Sequence, residues 1–399
     1  MSESAGRITQ SIRWAHHEGA RNWTSTNAPD VATEFHRSMP GYKPTPLTEL
    51  PELAAELGVE AVLIKDESDR LGLPAFKILG ASWAVNCALS QRSGFDVPAK
   101  SLAELRERAS PVTLVTATDG NHGRALARVA ALLGLPARIY VPAGTSQDTV
   151  GAIASEGAHV LQTDLIYDEV VWAAASSTAG HRNDLLVQDT AWEGYEQIPQ
   201  WIVNGYDTLF REIDEQLAAR AADLIAVPTG VGSLLQAALR HYRDPVLRER
   251  PAVLAVEPVT AACVTASLAA GRPVSVDTSE PTIMAGLNCG SVSMIAWPVI
   301  RKGLDGSVTV TDDQARAAMQ RLNELGVPAG PCGGAALAGV REALRNADRR
   351  AALAITADTT VVLISTDGAG DPATAARPPQ RQPTAEGRIP PSARLLPRD

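Results

Sequence analysis

Short apolar runs rich in β-branched residues alternate along this chain with longer stretches in which apolar positions recur every three or four residues. The pattern predicts strands at Ala61–Glu67, Val112–Ala117, Ala137–Val141, His159–Gln162, Leu185–Gln188, Leu224–Val227, Val253–Val256 and Thr360–Ile364. Between them it predicts helices at Pro51–Leu57, Lys77 to about Leu89, Arg124–Leu132, Thr149–Glu156, Tyr167–Ala179, Trp201–Arg220, Leu234–Tyr242, Ala261–Ala269, Asp312–Leu325 and Gly334–Arg345. Strands alternating with helices imply an α/β protein whose parallel sheets are covered by helices on both faces. Residues 1 to about 40 read as a segment that wraps the body. Gly41–Leu47 reads as extended, because each proline disfavours helix at the residue before it. Residues 371–399 hold seven prolines and little apolar material, so the tail 370–399 is expected to be disordered.

Composition narrows the class. The 399 residues are 45% hydrophobic and 20% charged, which suits a soluble globular protein of one large or two ordinary domains. A net charge of −9 without a basic stripe gives nucleic-acid binding no electrostatic support. No apolar run reaches bilayer length, and the first residues lack a signal-peptide pattern, so no membrane partner and a cytoplasmic location are expected. Cys87, Cys263, Cys289 and Cys332 form no CxxC pair, which argues against a metal site; Cys263 and Cys289 are close enough in sequence to meet as a disulfide.

Four stretches carry chemistry. In Leu73–Gly80, Lys77 is a lone cation among apolar and small residues. It is either a snorkelling lysine at a half-buried helix start, or an amine desolvated by its neighbours. In the second case its pKa falls and it can act as a nucleophile or Schiff-base partner. Thr116–Ala125 places Asp119, Asn121 and His122 where a strand ends and a helix begins, the crevice where open α/β sheets bind ligands. A plain Asx turn with an N-cap would look the same. Val227–Leu234 offers Gly230 and Gly232 before a helix start, which suits a phosphate but is neither a P-loop nor a full dinucleotide fingerprint. Val361–Gly368 is an apolar strand ending in the hydroxyls of Ser365 and Thr366. Together a lysine, an Asn-bearing turn, a glycine loop and a terminal hydroxyl match the amine, ring, phosphate and ring nitrogen of pyridoxal phosphate.

These residues resemble the fold-type-II pyridoxal-phosphate enzymes and, more narrowly, the diaminopropionate ammonia-lyases. The narrower likeness rests on Phe76–Gly80, Ala117–Arg124, Gln188–Tyr195 with Ile198–Pro199, and Thr282–Leu287, within a likeness running from about Tyr42 to Gly368. The resemblance implies a tryptophan-synthase-β-like fold of two domains, a large one of residues 1–79 and 199–369 and a small one of 80–198. It implies a homodimer acting on a small amino-acid substrate. Lys77 would bind the cofactor, with Phe76 beside it and Asn121 on its 3-oxygen. Gly230, Val231, Gly232 and Ser233 would hold the phosphate, and Ser365 or Thr366 would face the ring nitrogen. Asp119 would be a second base opposite Lys77, so that both L- and D-diaminopropionate react. Asp189 would bind the substrate's distal ammonium, with Thr118 and Tyr167 also lining the substrate site. The reaction implied is α,β-elimination to pyruvate and ammonia. Gly330–Leu337 departs from this pattern and looks like the glycine-rich stretch of the dehydratases. A serine/threonine dehydratase, a β-replacement transferase and a non-catalytic cofactor-binding protein are the alternatives.

Overall fold

The computed structural model describes residues 13–25, 32–247 and 250–368; the tail expected to be disordered at 370–399 lies outside the described residues. Eleven strands are described: β1 Trp14–His16, β2 Leu47–Glu49, β3 Ala61–Asp66, β4 Thr113–Ala117, β5 Ala137–Val141, β6 His159–Gln162, β7 Asp184–Leu186, β8 Leu224–Pro228, β9 Ala252–Pro258, β10 Gly306–Val310 and β11 Thr360–Ser365. They form two sheets. One has the order β1-β10-β9-β8-β11-β3-β2, the other β6-β5-β4-β7. The second sheet is parallel throughout, and the first is parallel except at its two edges, where β1 and β2 pair antiparallel.

The central strands follow their sequence pattern. β11 is buried along its whole length between β3 and β8, as its run of Val361, Val362, Leu363 and Ile364 requires. The edge strands β1 and β2, and β10, escape that pattern. β1 and β2 are three residues each and half-exposed, so cross-strand pairing rather than local composition makes them strands. The short helices Ala32–Arg37, Leu102–Arg108, Trp297–Gly303 and Ala347–Ala352 also go beyond the expected set. Helix Pro331–Leu344 starts ahead of its expected Gly334, because Pro331 sits in the first turn where its missing N–H is harmless.

Two long helices link the sheets. Lys77–Arg92 follows β3 and leads toward β4, and Gln197–Leu217 follows β7 and leads back to β8. They touch through glycines. A Cβ on Gly205 would lie 2.4 Å from the carbonyl oxygen of Leu79 and 2.9 Å from Cα of Gly80. A Cβ on Gly80 would lie 2.6 Å from the ring of Tyr206. No side chain fits between these backbones.

A buried ion cluster ties the second of these helices, through Glu212, to β3 and the loop after it. Glu212 accepts from Lys65 Nζ at 2.7 Å and from Arg70 Nη1 at 2.7 Å, and Arg70 Nη2 reaches Glu67 at 2.7 Å. Thr45 Oγ1 donates to Glu67 at 2.6 Å, which pins the extended Gly41–Leu47 segment to the cluster. Farther along Gln197–Leu217, His241 bonds Asp207 at 3.0 Å and Asp214 at 2.7 Å.

Gly205→Ala is expected to destabilise the fold by about 3 kcal/mol, since backbone must move to admit the methyl; chemical denaturation measures it. Burial lowers the His241 pKa, but its two carboxylate partners outweigh this and raise it from 6.5 to about 9. The charged imidazolium therefore stabilises the fold fully below pH 6.5, and that stability is lost as pH rises through about 9. Thermal melting against pH should show this decline in the native chain, and His241→Gln should flatten it.

Candidate active site

The strand ends collect the chemistry. β4, β7, β8 and β11 deliver Thr118–His122, Gln188–Asp189, Thr229–Ser233 and Ser365–Asp367 at their carboxyl ends, and the loop after β3 delivers Lys77 at a helix start. Lys77 Nζ donates to Asp189 Oδ2 at 2.9 Å. Asp189 is held from several sides: Gln188 Nε2 donates to its Oδ1 at 3.3 Å, and Ser233 Oγ donates to its carbonyl oxygen at 3.4 Å. Gln188 itself accepts from Thr116 Oγ1 at 2.8 Å and from the Ala117 N–H at 3.0 Å, so β4 and β7 position it together. Its amide also donates to the Tyr167 hydroxyl at 3.4 Å.

The turn after β4 separates structural from chemical residues. Thr118 Oγ1 accepts from the N–H groups of Gly120 at 2.9 Å and Gly123 at 3.0 Å, and so caps the helix Asn121–Leu133. Asp119 and Asn121 are exposed and take no part in that cap. His122 is buried; its Nε2 lies 2.7 Å from the carbonyl oxygen of Val187, and its Nδ1 lies 4.0 Å from Asp189 Oδ2 without a hydrogen-bond partner.

The electrostatics correct one expectation. Desolvation does work to lower the pKa of Lys77, but Asp189, Tyr206 and Asp119 outweigh it, and the net direction is up. The fall expected from apolar neighbours is absent because a carboxylate remote in sequence neutralises the cost of burial. Burial also pushes the Asp189 carboxyl up, yet the Lys77 charge and hydrogen bond hold it well below the ordinary range. Asp119 moves the other way: the walls of the cleft push its carboxyl up, Lys77 opposes and Asp189 adds to the rise. Tyr167 is raised by burial and by the same two carboxylates.

Gly230 and Gly232 form a tight cradle. A Cβ on Gly230 would lie 2.9 Å from Cys289 Sγ and 3.1 Å from the Gly286 carbonyl oxygen. Gly232 has φ +96°, a left-handed conformation that favours glycine, and opens helix Ser233–Tyr242. The first N–H groups of that helix have no intrahelical acceptor, an arrangement that suits an anion. Ser365 Oγ and Thr366 Oγ1 are buried without hydrogen-bond partners. A Cβ on Gly333 would lie 2.5 Å from Ser365 Oγ, so the divergent Gly330–Leu337 stretch packs against this strand end. Phe76 packs on Tyr206 with ring centroids 4.8 Å apart, and the Lys77 Nζ lies 5.6 Å from the Phe76 centroid.

Some site residues were not legible beforehand. Tyr206 falls on the apolar face of a helix, where nothing distinguishes it from core, yet its phenol meets the Lys77 charge and is pushed up to about 12 by burial. Asp367 accepts from the Gly333 N–H at 2.6 Å, and burial pushes it up to about 6. The four cysteines are free, so no disulfide joins Cys263 and Cys289.

A lysine paired with a carboxylate, two buried unpartnered hydroxyls and a glycine cradle at parallel strand ends define an α/β enzyme site built for an anionic aldehyde cofactor. The chain belongs to the pyridoxal-phosphate-dependent enzyme family, which matches residues 39–367. Its fold is the fold-type-II arrangement, and pyridoxal phosphate is its cofactor. It is 36% identical over 353 residues to a diaminopropionate ammonia-lyase of Escherichia coli, covering 86% of this chain and 88% of that one. It is 40% identical over 296 residues to the diaminopropionate ammonia-lyase of Salmonella typhimurium, covering 72% and 73% of the two chains. A crystal structure of the Escherichia coli enzyme in complex with an aminoacrylate-PLP azomethine reaction intermediate superposes with TM-score 0.78 and 32% identity, covering 89% of this chain and 93% of that one.

In the cofactor-free protein, Asp189→Asn should let desolvation win at Lys77. Its amine pKa should fall, and acylation of Lys77 at pH 8, followed by mass spectrometry, should run at least about tenfold faster.

Proposed function

We propose that this enzyme eliminates ammonia from 2,3-diaminopropionate, in the L form and the D form, and yields pyruvate and ammonia. The observation that carries this reading is the Asp189 carboxylate, ionised, nearly buried and already holding an ammonium group at 2.9 Å. A serine or threonine hydroxyl could donate to this carboxylate but would bring no charge to balance it, whereas a second ammonium does. Similarity to two diaminopropionate ammonia-lyases supports the same substrate.

Lys77 would hold pyridoxal phosphate through its amine, with its phosphate on the Gly230–Ser233 turn. Phe76 would lie beside the cofactor, Asn121 would hydrogen-bond its 3-oxygen, and Ser365 or Thr366 would meet its nitrogen. A hydroxyl there would donate to an unprotonated ring nitrogen, which would give one of the two unpartnered buried hydroxyls its partner. The bound cofactor supplies the electron sink that makes the α-proton of the substrate acidic. Lys77 and Asp119 then take that proton from opposite faces, one for each enantiomer. Asp119 suits a base because its carboxyl is raised, and Asp189 suits a holding anion because its own is lowered. Asp189 keeps the β-amine protonated, so that the carbon–nitrogen bond breaks to release neutral ammonia while the α-carbon–hydrogen electrons form the double bond. The enamine product hydrolyses in water to pyruvate and a second ammonia. Thr118 and Tyr167 complete the substrate walls, Thr118 by fixing the turn that carries Asp119.

The same reading takes the sheet β6-β5-β4-β7 as the core of a small domain at 80–198, with the large domain at 1–79 and 199–369. It takes the enzyme as a cytoplasmic homodimer. No helix among the described residues is long and apolar enough to cross a membrane.

A pyruvate assay with L- and D-diaminopropionate, serine and threonine tests the proposal. Diaminopropionate should be turned over in preference to the hydroxyl substrates, and absence of pyruvate from both enantiomers would refute the function. Asp119→Asn should lose turnover of one enantiomer by about 100-fold or more and spare the other; equal loss of both would refute the two-base assignment.

A further inference from the structure

His122 stands at the edge of this site with an unused ring nitrogen. It is 3% exposed, and its Nδ1 has no partner. The other nitrogen fixes the tautomer. Nε2 lies 2.7 Å from the Val187 carbonyl oxygen, and a carbonyl can only accept, so Nε2 carries the proton. In the neutral ring Nδ1 is then a bare lone pair. It faces Asp189 Oδ2 at 4.0 Å, so two acceptors look at one another with no hydrogen between them. With the ring neutral, these two facing acceptors in a buried site need a donor with at least two hydrogens.

An ammonium group satisfies that need. A nitrogen about 2.9 Å from each acceptor donates to both at ordinary hydrogen-bond lengths. The carboxylate side already accommodates one, since Lys77 Nζ donates to the same Oδ2 at 2.9 Å. When Lys77 is engaged with the cofactor, that oxygen is freed. The far oxygen of Asp189 stays occupied by Gln188 Nε2 at 3.3 Å, which turns Oδ2 toward His122 and the cleft. A hydroxyl has a single hydrogen and leaves one of the two acceptors unmatched.

We propose that His122 binds substrate: its Nδ1 and Asp189 Oδ2 together seat the distal ammonium of the diamino acid and select an amine over a hydroxyl at the β-carbon. The inference rests on the diaminopropionate reading above and assigns a residue to which that reading gave no role.

Two substitutions separate recognition from structure. His122→Gln keeps a donor for the Val187 carbonyl and removes the acceptor at the Nδ1 position. His122→Asn puts an amide oxygen at the Nδ1 position and gives up the Val187 bond. With the holoenzyme, kcat/KM for 2,3-diaminopropionate is compared with the inhibition constant of serine, and the cofactor absorbance at saturation reports an intact site. His122→Gln should lower kcat/KM for diaminopropionate by about 10- to 100-fold, carried by KM, with serine binding changed less than about threefold. His122→Asn should recover a large part of that loss. Equal weakening of serine and diaminopropionate by His122→Gln, no weakening of either, or a failure of His122→Asn to recover would overturn the assignment. The native enzyme's own turnover of diaminopropionate, measured first, tells a failure of the function from a failure of this residue's role.

Discussion

Four buried charges hold the scaffold on which the site depends. Lys65 and Arg70 balance Glu67 and Glu212, and each of the four side chains is at most 1% exposed. Ions without water are tolerated only when each is matched, so removing one partner leaves an uncompensated charge and breaks the set. The cluster joins β3, the loop that carries Arg70, and the helix that carries Glu212. Lys77 opens the helix shortly after that loop, and the close approach of Gly80 and Gly205 fixes where that helix lies. The position of the amine therefore follows from a neutral ion cluster and a glycine contact, neither of which touches substrate.

Within the cleft, one cation among unequal carboxylates divides the labour. Lys77 sits against Asp189 and feels Asp119 more weakly. Asp189, bonded to it and to Gln188, stays ionised; Asp119, desolvated in the cleft and beside another anion, is raised. Two aspartates thus acquire opposite tendencies from surroundings alone, one to hold charge and the other to take a proton. His122 places an unpartnered ring nitrogen 4.0 Å from the permanent anion. That combination recognises an ammonium by number of hydrogens as well as by charge.

The alternation of elements was legible because buried parallel strands demand continuous apolar runs, as at Leu224–Pro228 and Thr360–Ser365, which each run one residue past the expected end. The strand-end motifs were legible for a related reason. Polar and glycine residues that interrupt such runs have nowhere to sit but the crevice where strands end. β1, β2 and β10 were hidden because their strand character comes from a neighbour. Tyr206 was hidden because a buried aromatic on a helix looks the same whether it packs on core or faces a lysine.

The sequence by itself determined the layered α/β architecture, the lysine and the glycine turn, since these rest on local spacing and residue type. Only the tertiary structure decided how those groups behave. Lys77 and Asp189 are 112 residues apart in the chain, and their contact reverses the direction in which burial alone would move the lysine. The unfilled nitrogen of His122 likewise exists only because Val187, at the end of another strand, claims its partner nitrogen. Protonation and hydrogen-bonding capacity are set by distance in space, and sequence spacing does not record that distance.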